Sequence, residues 1–144
     1  FGNTFNCRFL PEVSSECDVE IVSTPTDRPV GRWADQLSDF SAHVSFRQPQ
    51  HWDGTKPFTK GIFAAVTGAI YVGDPVPEAR LLLGEDYPYF TESDTPEAAV
   101  DIIMKARQSF GSVEWHEALG RMDAIMRESS LHNVLCQLDS LVKG

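Results

Sequence analysis

Short apolar runs alternate with amphipathic stretches along this chain, and that alternation predicts strands and helices in turn. Val19 to Val22 predicts a short strand, closed by Ser23, Thr24 and Pro25. Asp27 as a cap, Pro29 in the first turn, and Trp33, Leu37 and Phe40 at helical spacing predict the next helix. Ala42 to Phe46 is the second predicted strand. A polar loop through His51, Trp52 and Gly54 leads into a helix carrying Ile62, Phe63, Ala65 and Val66, with Gly68 as its left-handed cap. Ala69 to Val72 is the strongest strand, an apolar run stopped by Gly73, Asp74 and Pro75; buried parallel strands have this composition because helices cover both faces.

Pro77 opens a short helix through Leu81, Leu82 and Leu83, ended by Gly84. Tyr87 to Phe90 predicts a final strand, held to an edge because Pro88 has no N–H to give a ladder. Thr95, Pro96 and Glu97 are a cap, a first-turn proline and a first-turn acid, opening a helix through Ile103 and Ala106. Two further helices follow, one on Trp115, Leu119, Met122 and Met126, the other on Leu131, Leu135, Leu138 and Val142. This succession predicts an α/β fold: a doubly wound, mainly parallel Rossmann-like sheet flanked by helices. Residues 1–144 are read as a single Rossmann-like domain. Since the first residue is Phe rather than Met, we expect it to be part of a longer two-domain protein.

Composition narrows the function classes. Hydrophobic residues make up 42% and charged residues 23% of the 144 positions, ordinary globular usage. No apolar run reaches the roughly 18 residues a membrane helix requires, so no transmembrane segment is expected. Cys7, Cys17 and Cys136 form no CxxC pair and leave an odd count, which predicts reduced thiols and a cytoplasmic location. A net charge of -9 argues against a nucleic-acid partner. The charge is uneven, however. Arg47, Lys56 and Lys60 cluster with only Asp53 among them, whereas from Gly61 to Met104 Arg80 is the only base amid many acids. One short basic segment in an acidic chain predicts a local anion site.

That segment sits where an open α/β sheet binds ligands, beyond the carboxyl end of a strand. Arg47 stands at the mouth of the strand ending at Phe46, and Lys56 to Gly61 runs into the next helix, whose free N–H groups and dipole favour a phosphate. Thr59 is placed to cap that helix or donate its hydroxyl. A second reading stays open, in which Lys56 and Lys60 are solvated helix-start lysines and Arg47 pairs with a nearby acid. Other chemistry is sparse. There is no Walker loop, GxGxxG or GxSxG, and His116 and Glu117 are followed by Gly120 where a zinc-binding HExxH needs histidine. His43 lies within a predicted strand and reads as a satisfied core or edge histidine. His51 reads as a loop histidine. Trp52 is open between stacking on a base or sugar and packing its loop. Trp33, Trp115 and the methionines read as core.

The run from Lys56 through Pro57, Phe58, Thr59, Lys60 and Gly61, then the small-residue helix, Gly68 and the strand to Val72, resembles the donor-site segment of bacterial glycosyltransferases with the two-Rossmann-domain B fold. The order downstream is similar too: Pro77, Glu78 and Ala79 after the strand, the Leu83 to Tyr89 segment, then helices to the end. Phe1, Gly2 and Asn3 are similar to the glycine turn after such a domain's first strand. Many retaining enzymes of this fold carry two glutamates eight positions apart, where this chain has Lys56 and Ala64, so their retaining mechanism and their sugar and ribose contacts are not carried over.

The resemblance implies donor binding by Gly2, Arg47, Lys56, Thr59 and Lys60, with Glu78 reaching a ribose or sugar hydroxyl. The expected partners are a nucleoside-diphosphate sugar, a sugar or other hydroxyl acceptor, and a second α/β domain upstream. The expected reaction is sugar transfer, with Arg47 and Lys60 stabilising the departing diphosphate. No cofactor is expected, and the sequence holds no DxD metal motif. The alternative is a non-catalytic nucleotide- or phosphate-sugar-binding module that regulates or docks a partner. A phosphoacceptor receiver domain shares the predicted sheet but needs clustered acids after its first strand.

Overall fold

The computed structural model describes residues 7–21, 35–47 and 57–143. In chain order these form α1 (Leu10–Glu16), β1 (Ala42–Ser45), α2 (Thr59–Val66), β2 (Ile70–Gly73), α3 (Pro77–Leu83), α4 (Pro96–Gln108), α5 (Val113–Glu128) and α6 (Leu131–Lys143). Residues 35–37 are also helical. The fold is mixed α/β, and β1 and β2 are parallel with Ala42 opposite Ile70 and Ser45 opposite Gly73. Among the described residues the sheet has these two strands, so the wider doubly wound sheet is not seen among them.

All four residues of β2 are buried. Because successive strand side chains point to opposite faces, this burial requires cover on both sides of the sheet. Trp115, Ala118, Met122 and Ile125 of α5 give the core one helical stripe, and Ala99, Ile102 and Ala106 of α4 give another. Gly61 leaves room for the Phe58 ring at the start of α2, because a Cβ there would run into it. That ring packs edge-on against Tyr71 at 4.8 Å between centroids. Arg121 fastens α5 to the turn after α3, with its guanidinium forked onto Asp86 at 2.7 and 2.9 Å and also donating to the Leu83 carbonyl.

Most helix boundaries follow the signals read above. Thr95 Oγ1 accepts from the Ala98 N–H at 3.2 Å, and Gly68 adopts φ 72°. Two expectations differ. Residues 19–21 form no strand, while α1, which was not expected, precedes them. The helix around Trp33 lies largely outside the described residues, as do His51 and Trp52.

The second difference is that Tyr87 to Phe90 forms no strand, and its reason is physical. In β2, Ile70 bonds towards β1, so the N–H and C=O of Tyr71 face the other edge. A neighbouring strand would satisfy them, but the Tyr87 hydroxyl does so instead. It accepts from the Tyr71 N–H at 3.2 Å and donates to the Tyr71 carbonyl at 2.9 Å. Only at the end of β2 does the main chain take over: the Gly73 N–H donates to Tyr89, the Thr91 N–H donates to Gly73, and Phe90 forms a parallel bridge to Gly73.

α6 contributes no buried residue. Leu131, Leu135, Leu138, Leu141 and Val142 are all exposed. No helix among the described residues is long and apolar enough to cross a membrane.

Candidate anion-binding site

The carboxyl ends of β1 and β2 converge with the start of α2 and with residues ahead of α1. Arg47 follows β1, and Asp74 follows β2. The chain before α1 crosses this end: Cys7 forms an antiparallel bridge to Arg47, and the Arg8 N–H donates to the Phe46 carbonyl at 3.0 Å. Gly73 makes the close approach possible, because a Cβ there would collide with the Ser45 carbonyl oxygen. The Tyr71 hydroxyl secures the same turn by donating to the Asp74 carbonyl at 3.1 Å.

Beside this convergence lies a cavity of about 930 Å³, within the range of small-molecule sites. Arg47, Thr59, Lys60 and Glu78 all line it, joined by Cys7 and Arg8, over an apolar floor that includes Val44 and Ile103. Four of the six residues expected from sequence thus border one cavity. Gly2 and Lys56 lie outside the described residues. A smaller cavity of about 320 Å³ shares Arg8, Arg47 and Asp74 and continues past Thr91 and Asp94.

Lys60 is half-buried. Burial lowers the pKa of its ammonium; the Cys7 sulfur opposes the fall and the like charge of Arg47 adds to it. The charges of Lys60 and Arg47 are thus near enough to influence one another at this cavity. Burial raises the Cys7 pKa despite the neighbouring cations, which keeps it a thiol rather than a nucleophilic thiolate.

Thr59 does not cap α2. Phe58 holds the cap position without a side-chain bond, and the Thr59 hydroxyl turns back to the Pro57 carbonyl at 3.4 Å. The first-turn N–H groups of this eight-residue helix therefore receive no hydroxyl from Thr59. Glu78 is half-buried in the first turn of α3. His43 is buried, its Nε2 lies 3.2 Å from the Leu37 carbonyl and 3.3 Å from Thr67 Oγ1, and it also borders the cavity. Cys7, Cys17 and Cys136 are free cysteines.

Sequence reasoning missed the ion-paired group at the sheet mouth. Arg8 Nη2 donates to Asp74 Oδ1 at 2.7 Å, Arg8 Nη1 pairs with Asp94, and the Arg47 N–H donates to Asp74 Oδ2 at 2.8 Å. Asp74 had a usable signal, since it immediately follows the apolar strand at its carboxyl end. Arg8 had none, because it reaches the site from a segment without strand or helix periodicity. Compared with known proteins, the chain matches no family model, no curated protein and no solved structure.

Proposed function

We propose that this chain is the nucleotide-sugar-binding domain of a glycosyltransferase, built on a doubly wound parallel sheet. It takes a nucleoside-diphosphate sugar as donor and works in the cytoplasm with a second α/β domain that presents a hydroxyl acceptor. One observation carries the reading: Arg47, Thr59, Lys60 and Glu78 line a single cavity beside the carboxyl ends of parallel strands. Open α/β sheets bind their ligands at that position.

In the proposed reaction the bond from the sugar's anomeric carbon to the diphosphate oxygen breaks, and a bond to the acceptor oxygen forms. Negative charge grows on the departing diphosphate. The Arg47 guanidinium and the Lys60 ammonium are the groups that meet it, and the partial burial of Lys60 strengthens that attraction relative to water. The Thr59 hydroxyl would have to leave the Pro57 carbonyl to add a neutral donor there. Transfer further requires an acceptor held against the anomeric carbon with water excluded. The isolated chain is therefore expected to bind nucleotide without transferring sugar.

Arg47→Ala and Lys60→Ala test the reading. Each is expected to weaken nucleoside-diphosphate binding by about 1.5–3 kcal/mol, the range for hydrogen bonds to charged groups, with little change in folding. Loss of folding with affinity retained would assign both side chains to structural ion pairs instead. Robust transfer by the 144-residue chain alone, in monomeric form, would overturn the half-enzyme reading.

A further inference from the structure

The Asp74 carboxylate is held much as a bound phosphate is held. One oxygen accepts from a main-chain N–H at the carboxyl end of a strand, Arg47 N at 2.8 Å, and the other from a guanidinium, Arg8 Nη2 at 2.7 Å. The ion pair is largely withdrawn from water: the side chains of Arg8 and Asp74 are 12% and 14% exposed. Backbone N–H groups and arginine forks are the usual donors to phosphoryl oxygens. We propose that Arg8 and the Arg47 N–H form a phosphate seat which Asp74 occupies as an internal stand-in anion, and from which an incoming phosphoryl group displaces it. The ligand class rests on the donor reading above.

The surroundings fit an exchange rather than a permanent clasp. The main chain of Asp74 is fixed independently of its carboxylate, by its own N–H donating to Ser45 at 3.2 Å and by the Tyr71 hydroxyl on its carbonyl. Rotation of the side chain can therefore vacate the seat without moving the turn. Arg8 would not be stranded by the departure, because its other terminal nitrogen pairs with Asp94. Its Nε, buried and without a hydrogen-bond partner, leaves donor capacity that two carboxylates do not use. Both cavities reach this point, since Arg8, Arg47 and Asp74 line each of them. The consequence is competition. The resident charge of Asp74 opposes any anion at the mouth, so the unmodified chain binds phosphates more weakly than its cations alone dictate.

Calorimetric titration of the full chain with pyrophosphate tests this. Asp74→Asn keeps an oxygen able to accept from the Arg47 N–H but removes the competing charge. It should tighten pyrophosphate binding on the order of tenfold, the scale of losing one like charge at close range. Arg8→Met placed on top of Asp74→Asn should reverse that gain. Were Asp74 instead a positioning residue for Arg8, Asp74→Asn would loosen binding. Looser or unchanged binding in Asp74→Asn, or an unchanged gain in the double variant, overturns the proposal while leaving the donor reading intact. If neither wild type nor Asp74→Asn takes pyrophosphate or any nucleoside diphosphate, both fail together. Should Asp74→Asn not fold, Asp74→Ser is read in its place. Unfolding of both shows the pair to be structural and also overturns the proposal.

Discussion

Tyr87→Phe removes one oxygen atom, and the structure gives it an outsized effect. The Tyr87 hydroxyl both accepts from the Tyr71 N–H and donates to the Tyr71 carbonyl, standing in for a strand along that edge of β2. Tyr71 is 3% exposed and Tyr87 4%, so little water reaches the vacated position. Phenylalanine fills the ring's volume, so no cavity larger than the lost oxygen opens. What remains is a pair of buried main-chain groups without partners, each costing about 1–3 kcal/mol. Part of this is returned because the variant no longer buries a hydroxyl. The net loss is expected near 2–4 kcal/mol, which for a chain of this size lowers the melting temperature by roughly 2–4 °C per kcal/mol. Urea unfolding followed by circular dichroism gives the number directly, with an unchanged slope expected because the exposed surface is the same. A loss under about 0.5 kcal/mol, the level of a neutral surface change, would refute the substitute-strand account of this edge.

Gly61→Ala should destabilise by about 1–3 kcal/mol, because the new methyl displaces the Phe58 ring from its seat on Tyr71; melting curves showing no loss would mean that the ring moves at no cost. Burial lowers the pKa of His43, partly offset by the hydrogen bond to the Leu37 carbonyl, so the unfolded chain holds the extra proton first as pH falls. Stability should therefore decline as pH drops below about 6.5 and level off below the folded value, and His43→Asn should remove that slope in urea titrations. Burial also raises the pKa of both Tyr71 and Tyr87, so their contribution to stability is complete below about pH 10 and is lost as pH climbs above it. An alkaline unfolding curve that stays flat to pH 12 would contradict this.

The elements legible in the sequence are those whose signals are local. Thr95 with Pro96, Gly68, and Pro77 with Gly84 mark helix ends through their own backbone chemistry, and the structure keeps those ends. The apolar run at β2 was readable because both of its faces are buried. α1 was not readable: Val13 is its only buried residue, too few for a periodic stripe, although Pro11 and Glu12 are helix-start residues. Tyr87 to Phe90 has the composition of a strand, and only the tertiary position of one hydroxyl shows why it is not one. The stripe of α6 was read correctly as helical, but spacing alone does not reveal that its leucines stay exposed. At the site, charge clustering and the position after a strand pointed to Arg47 and Lys60. The pairing of Arg8 with Asp74 spans 66 positions and left no trace in local pattern.

The cavity at the sheet mouth is proposed to take a nucleoside diphosphate. Thermal unfolding of the chain with UDP, GDP, ADP, CDP or TDP at millimolar concentration, beside free sugars as controls, tests it most directly. Ligand that binds only the folded state stabilises by mass action, about 2.7 kcal/mol at a hundredfold excess over Kd. A raised melting temperature is expected with at least one nucleoside diphosphate, none with sugar alone, and a diminished rise in Lys60→Ala. No shift with any of the five nucleotides would contradict it.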